Sequence, residues 1–230
     1  MIDLASLSLL DLSALQSFMG QGGPAIWVIA GLSVITLTVI LWKLWRFARI
    51  GAWSGQRADR AVQHWVKGDM GAAHRALSGQ QGVRARLVAR ALAALDDPGL
   101  SFEGAKEETY RIAQRELAQS RAGLRVLELI ATIAPLIGLL GTVLGMIAAF
   151  QALQDAGARA DPGTLAGGIW EALLTTAAGM AVAIPASMAL SYFESVVDRI
   201  RQDMEDLATR IFIRAETREL TPKPLQQAAE

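Results

Sequence analysis

Glu171, Thr142 and Thr176 are the residues with chemistry to offer, because each stands in a long apolar stretch where a polar group needs a reason. Glu171 is the only ionisable side chain in the second apolar run and the third span, and the next charge after it is Glu194. An intramembrane carboxylate is by default a functional group, on an ion path or against another chain. A hydroxyl at Thr142 or Thr176 can shape a polar pore, or it can bond back to a carbonyl one turn earlier. Conventional catalysis is poorly supplied. There is no cysteine, and the two histidines, His64 and His74, lie outside the apolar runs at a spacing unsuited to a metal site. The spans contain no His, Cys or Asp, and their serines have no base within helical reach, so an intramembrane enzyme is not expected. No metal or other cofactor is expected.

Three apolar runs must position these groups: Leu12–Trp42, with its best core at Ala25–Trp42, then Leu129–Gln154, then Ala172–Phe193. Each can cross a bilayer as a helix. Within the second, Gly138, Gly141 and Gly145 recur every three to four residues, with Ala134, Ala148 and Ala152 extending the stripe. Small residues at that spacing let helix backbones approach closely. The expected use is assembly of subunits through the small faces of spans two and three. In the third span Thr176, Gly179, Ala183 and Ser187 share a face. Pro135 and Pro185 favour bends that neighbouring helices must support.

The fold class is therefore an all-α integral membrane protein with three transmembrane helices, spans two and three extending into the cytoplasm as long helices. The boundaries read as an amphipathic surface segment (1–23), span one (24–45), a polar helical domain (46–125), span two (126–153), a turn (154–165), span three (166–193), a helical extension (194–220) and a disordered tail (221–230). Span one lacks the basic leader and cleavage site of a signal peptide and reads as a retained helix. From Ser101 the helical pattern continues without an obvious stop into span two, which predicts one helix over 101–153 packing on partner helices in the aqueous phase. The segment 46–125 holds 14 basic residues and 195–230 six, whereas 1–23 holds none and 153–166 one. Basic residues stay on the cytoplasmic side. That bias puts the N-terminus and the 154–165 turn in the periplasm, with the polar domain and C-terminus inside. Acidic residues interrupt the basic runs, so nucleic acid is not an expected partner, whereas lipid is.

Two motifs carry a resemblance. Ala134-Pro135-x-x-Gly138-x-x-Gly141-Thr142-Val143-x-Gly145-Met146 is followed by Glu171-Ala172-Leu173-Leu174-Thr175-Thr176-Ala177-x-Gly179 and Ile184-Pro185. In this order and spacing they resemble the MotA/TolQ/ExbB proton-channel family over about 101–212. Three spans and a large polar segment after the first resemble its ExbB/TolQ branch more than the four-span flagellar stators. Residues 1–23 have no evident counterpart. The resemblance implies a homopentamer in the bacterial inner membrane, with spans two and three lining a central pore. It also implies a dimer of a single-span ExbD/TolR-like partner in that pore, and leaves room for a TonB/TolA-like periplasm-spanning protein. Thr142 and Thr176 match the family's pore-lining threonines, and Glu171 its third-span glutamate. The implied function couples the proton motive force to mechanical work on the cell envelope, as in TonB- or Tol-type energy transduction and biopolymer transport. A passive membrane scaffold, or a stator driven by Na+, are the alternatives.

A relay needs a protonatable group near mid-membrane. Thr176 lies about 7.5 Å deeper than Glu171 at about 1.5 Å rise per residue, and its hydroxyl does not ionise. The chain alone is thus expected not to complete a relay, the titrating carboxylate coming from the partner.

Overall fold

The computed structural model describes residues 23–79, 82–157 and 161–220, the side chains of 218–220 excepted. The surface segment and the C-terminal tail expected at the chain ends lie outside the described residues, apart from Gly23. Seven helices are described: α1 (Gly23–Arg49), α2 (Gln56–Val66), α3 (Met70–Leu77), α4 (Val83–Asp96), α5 (Phe102–Arg121), α6 (Leu124–Ala156) and α7 (Pro162–Leu220). Among the described residues there is no strand. Three stretches are helical, long and apolar enough to cross a membrane: Gly23–Arg49, Phe102–Ala156 and Pro162–Thr217. The protein is an all-α, multi-pass membrane protein with three spans.

Local chemistry sets the helix ends. Gly68, with φ 87, stops α2, and the Asp69 carboxylate accepts from Ala72 N at 2.9 Å to open α3. The Ser101 hydroxyl accepts from Gly104 N at 3.1 Å and Glu103 occupies the first turn of α5, so the helix starts where the sequence places it. Gly157 (φ 52) closes α6. The Asp161 carboxylate then accepts from Gly163 N at 3.0 Å as α7 begins at Pro162.

The helix expected over 101–153 is helical along its length except at one point. At Ala122–Gly123 the backbone turns out of helix, Gly123 adopting φ 86, a left-handed conformation that suits glycine. The break strips the last carbonyls of α5 of intrahelical partners. Lys43 fills the vacancy: its buried ammonium donates to Ser120 O (2.5 Å) and Ala122 O (2.7 Å) and lies 4.8 Å from the centre of the Phe47 ring. A cation here also meets the negative end of the α5 dipole.

The chain forms two compact units. The polar unit contains residues 42–122 and the chain from Tyr192 onward. Its core joins Ala61, Val62 and Trp65 of α2 and Val88, Ala91 and Leu92 of α4 to Leu207, Ile211 and Ala215 of α7. Phe102 meets Phe212 edge-on at 5.9 Å. Thus α5 and the end of α7 bury apolar side chains against helices of their own chain. Arg84, also buried, bonds Asp203 at 2.7 Å and the Ala52 carbonyl at 2.8 Å, so its charge is paired.

The membrane unit contains α1 through Leu41 and residues 123–191. Its centre is made of Ile130, Ala134, Ala183 and Ala186, with Leu32 and Val182 alongside. Leu37, Leu139, Leu140, Ile147, Leu173 and Ile184 face outward. Such a surface suits lipid or other membrane helices and not water.

Candidate functional site: the seam between the second and third spans

The site grows from the glycine stripe of α6. A methyl placed on Gly138 would lie 2.9 Å from Thr175 O and 3.0 Å from Thr176 Cα. On Gly145 it would lie 3.0 Å from Ala172 Cβ, and on Gly179 only 2.6 Å from Ala134 O. The backbones of α6 and α7 touch at these points, and only glycine leaves room for that approach. The four packing glycines read from the sequence, Gly138, Gly141, Gly145 and Gly179, therefore meet one seam. That seam lies within a single chain. The four glycines are thus engaged by α6–α7 packing within one chain, where the sequence reading expected small faces to join subunits, while Ala148 and Ala152 of the stripe stay exposed.

Polar groups close the seam. The Gly138 carbonyl receives hydroxyls from both Thr175 and Thr176, each at 3.1 Å. Thr175 is buried, and its hydroxyl also reaches Ala172 O at 2.7 Å. The sequence reading passed over Thr175 and chose Thr176, Gly179, Ala183 and Ser187 as the small face. The buried line instead runs Ala172, Thr175, Gly179, Ala183, Ala186, with Ser187 exposed. Spacing of four back from Gly179 is the signal that could have found Thr175.

Thr142 donates to Leu139 O at 2.6 Å within its own helix, the local bond anticipated for an isolated hydroxyl. It is half-buried and makes no bond to α7. Thr176 is half-buried too. Both hydroxyl protons are thus committed to backbone carbonyls, and the oxygens retain acceptor capacity. Glu171 is half-buried and has no hydrogen bond or ion pair among the described residues. Pro135 and Pro185 sit inside α6 and α7, which continue through them. Each lacks a backbone donor, leaving the carbonyls of Ala131 and Ala181 without that helical bond. Among the described residues no group of acidic residues and histidines is arranged to hold a metal ion.

Residues 80–206, more than half the chain and including the whole seam, match the MotA/TolQ/ExbB proton channel family. The chain belongs to that family. Relatives carry names from its ExbB and TolQ branches. The protein named ExbB-like 1 for biopolymer transport in Synechocystis sp. is 35% identical over 199 residues, covering 82% of this chain and 72% of its own. Biopolymer transport protein exbB1 of Vibrio cholerae is 40% identical over 92 residues, 40% of each chain. Tol-Pal system protein TolQ of Haemophilus influenzae is 37% identical over 108 residues, 47% of each. The last two alignments thus span less than half of the proteins they reach. The family is described as one of proton channels.

Proposed function

We propose that this chain is the channel-forming subunit of a proton-driven motor in the bacterial inner membrane, serving biopolymer transport or Tol-type work on the envelope. Five copies surround a dimer of a single-span ExbD/TolR-like partner, and a TonB/TolA-like protein carries the motion across the periplasm. The N-terminus is periplasmic and the C-terminus cytoplasmic, by the distribution of Lys and Arg.

The observation that carries this reading is the division of labour in α6 and α7. Glu171 is a carboxylate without a hydrogen bond or ion pair among the described residues, and the threonine hydroxyls have spent their protons on the Leu139 and Gly138 carbonyls. Thr142 and Thr176 can therefore accept a hydrogen bond but cannot release a proton at physiological pH. A protonated carboxyl brought by the partner helix would donate to such oxygens. Once ionised, it would lose that bond and seek another position. Alternation between these two states gives a physical basis for stepwise motion. Glu171 then conducts at the outer mouth or positions the neighbouring subunit.

Proton flux into liposomes separates this from a passive scaffold. The chain with its partner should acidify the lumen under an imposed potential, and the chain alone should not. Thr176→Val should keep the complex assembled while cutting flux, because it removes the acceptor oxygen at nearly constant volume. Specific conduction by the chain alone, or full flux in the Thr142→Val/Thr176→Val double variant, would sink the proposal. A flux carried by Na+ and insensitive to pH would replace the ion and leave the architecture.

A further inference from the structure

The polar end of α1 carries a second arrangement, apart from the seam. Trp42, Trp45, Arg46 and Arg49 are spaced i, i+3, i+4, i+7 and so share one helix face. Lys43 and Phe47, on the other face, are buried and fix which side turns outward. Each arginine lies over an indole one turn earlier, Arg46 at 5.3 Å from the Trp42 ring centre and Arg49 at 4.7 Å from that of Trp45. The indoles are 41% and 58% exposed. Neither guanidinium has an ion pair or hydrogen bond among the described residues, and no carboxylate occurs between Asp11 and Asp59. Two cations are thus held in place by aromatic faces with their N–H groups unspent.

We infer that this face binds the headgroup of an anionic phospholipid. The occupant follows from continuity and charge. On the same helix the exposed apolar side chains Val34, Leu37 and Leu41 lead up to Trp42, so the lipid chains that cover them deliver a phosphodiester to the arginines at the level where indoles lie. A guanidinium matches a phosphate oxygen pair bidentately. Pinning by the indole limits the side-chain freedom lost on binding. This assignment rests on the spans alone and stands whether or not the chain is part of a motor.

Native mass spectrometry of the full-length protein in detergent, titrated with phosphatidylglycerol or with phosphatidylcholine of the same acyl chains, tests it. Arg46→Gln/Arg49→Gln should weaken phosphatidylglycerol binding about thirtyfold, at about fivefold per arginine near the headgroups, and leave phosphatidylcholine binding and helicity unchanged. Trp42→Leu/Trp45→Leu should lower it severalfold with both charges present, which a diffuse charge effect would not do. Arg199→Gln/Arg214→Gln, removing two exposed arginines elsewhere, should change nothing. An unchanged affinity in the Arg46/Arg49 variant, or an equal loss in the Arg199/Arg214 variant, overturns the site. An acidic protein surface as the true occupant would show itself by the first of these outcomes.

Discussion

The tightest point of the seam gives a prediction that the packing alone fixes. An alanine methyl at position 179 would lie 2.6 Å from Ala134 O and 3.2 Å from Gly138 Cα, both of them backbone atoms of α6. To restore van der Waals contact the two helices must part by about 0.8 Å. No rotamer change can relieve the clash. Overpacking of this kind costs about 1–3 kcal/mol. Alanine is also a better helix former than glycine, by about 1 kcal/mol, and that gain would mask part of the loss. Gly167→Ala supplies the internal reference, since it lies on the same helix and a methyl there meets nothing within 4 Å. The propensity gain is common to both variants, so the stability difference between Gly179→Ala and Gly167→Ala isolates the seam, at about 1–3 kcal/mol in favour of Gly167→Ala. Helicity loss on titration with a denaturing detergent measures it. If Gly179→Ala proved as stable as Gly167→Ala, the close approach of α6 and α7 would be refuted.

Three further outcomes follow from the same geometry. Cysteines at Gly145 and Ala172, whose Cβ positions fall 3.0 Å apart, should oxidise to a bridge within one chain and run as a compact monomer, not a dimer ladder. The protein has no cysteine of its own to complicate the gel. Lys43→Met should destabilise the polar unit by about 1–3 kcal/mol, because it leaves the buried Ser120 carbonyl unsatisfied and removes the donor of the half-buried bond to Ala122 O; hydrogen exchange at the end of α5 would report the loss. Asp203→Ala should cost less than Arg84→Ala by chemical denaturation of the full chain. Arg84 keeps its bond to Ala52 O when its carboxylate partner is gone, and Asp203 stays solvated when the arginine is gone. Losing Arg84 leaves the Ala52 carbonyl without its donor as well as a gap in the packing.

What the sequence made legible was whatever one helix decides for itself. Span length and hydropathy gave three membrane helices, and Ser101 with Glu103 gave the start of α5. The glycine spacing gave close packing on α6. It could not give the neighbour, because a small face accepts a backbone from its own chain as readily as from another copy. Gly123 was one glycine in a long helical pattern, and only its conjunction with the distant Lys43 turns it into a break. Lys43 is in sequence only the first basic residue of the chain, at the end of span one, whereas in the structure it is fully buried and holds the end of α5. The polar core was hidden for the same reason. The alternation of Leu207, Ile211 and Ala215 marks an apolar stripe, but α2 and α4, which cover it, lie more than a hundred residues earlier in the chain.

The intrachain seam changes what a subunit interface can be made of. With the glycines turned toward each other inside the protomer, the surface left for other membrane helices is the bulky one: Leu139, Leu140, Ile147 and Trp170, together with Leu173, Ile184 and Met188. Bulky apolar surfaces do not discriminate between lipid and protein, since lipid tails are as apolar as leucine. The specificity of assembly must then come from polar groups. In the second apolar run and the third span the one carboxylate is Glu171, and it has no hydrogen bond or ion pair among the described residues. A carboxylate that finds its donor on a neighbouring subunit is worth most where water is scarce. That makes Glu171→Ala an assembly variant before it is a conduction variant. Its complex should fall apart in native mass spectrometry under conditions where Thr176→Val stays whole, and an intact Glu171→Ala complex that fails only in proton flux would reassign the residue to the ion path.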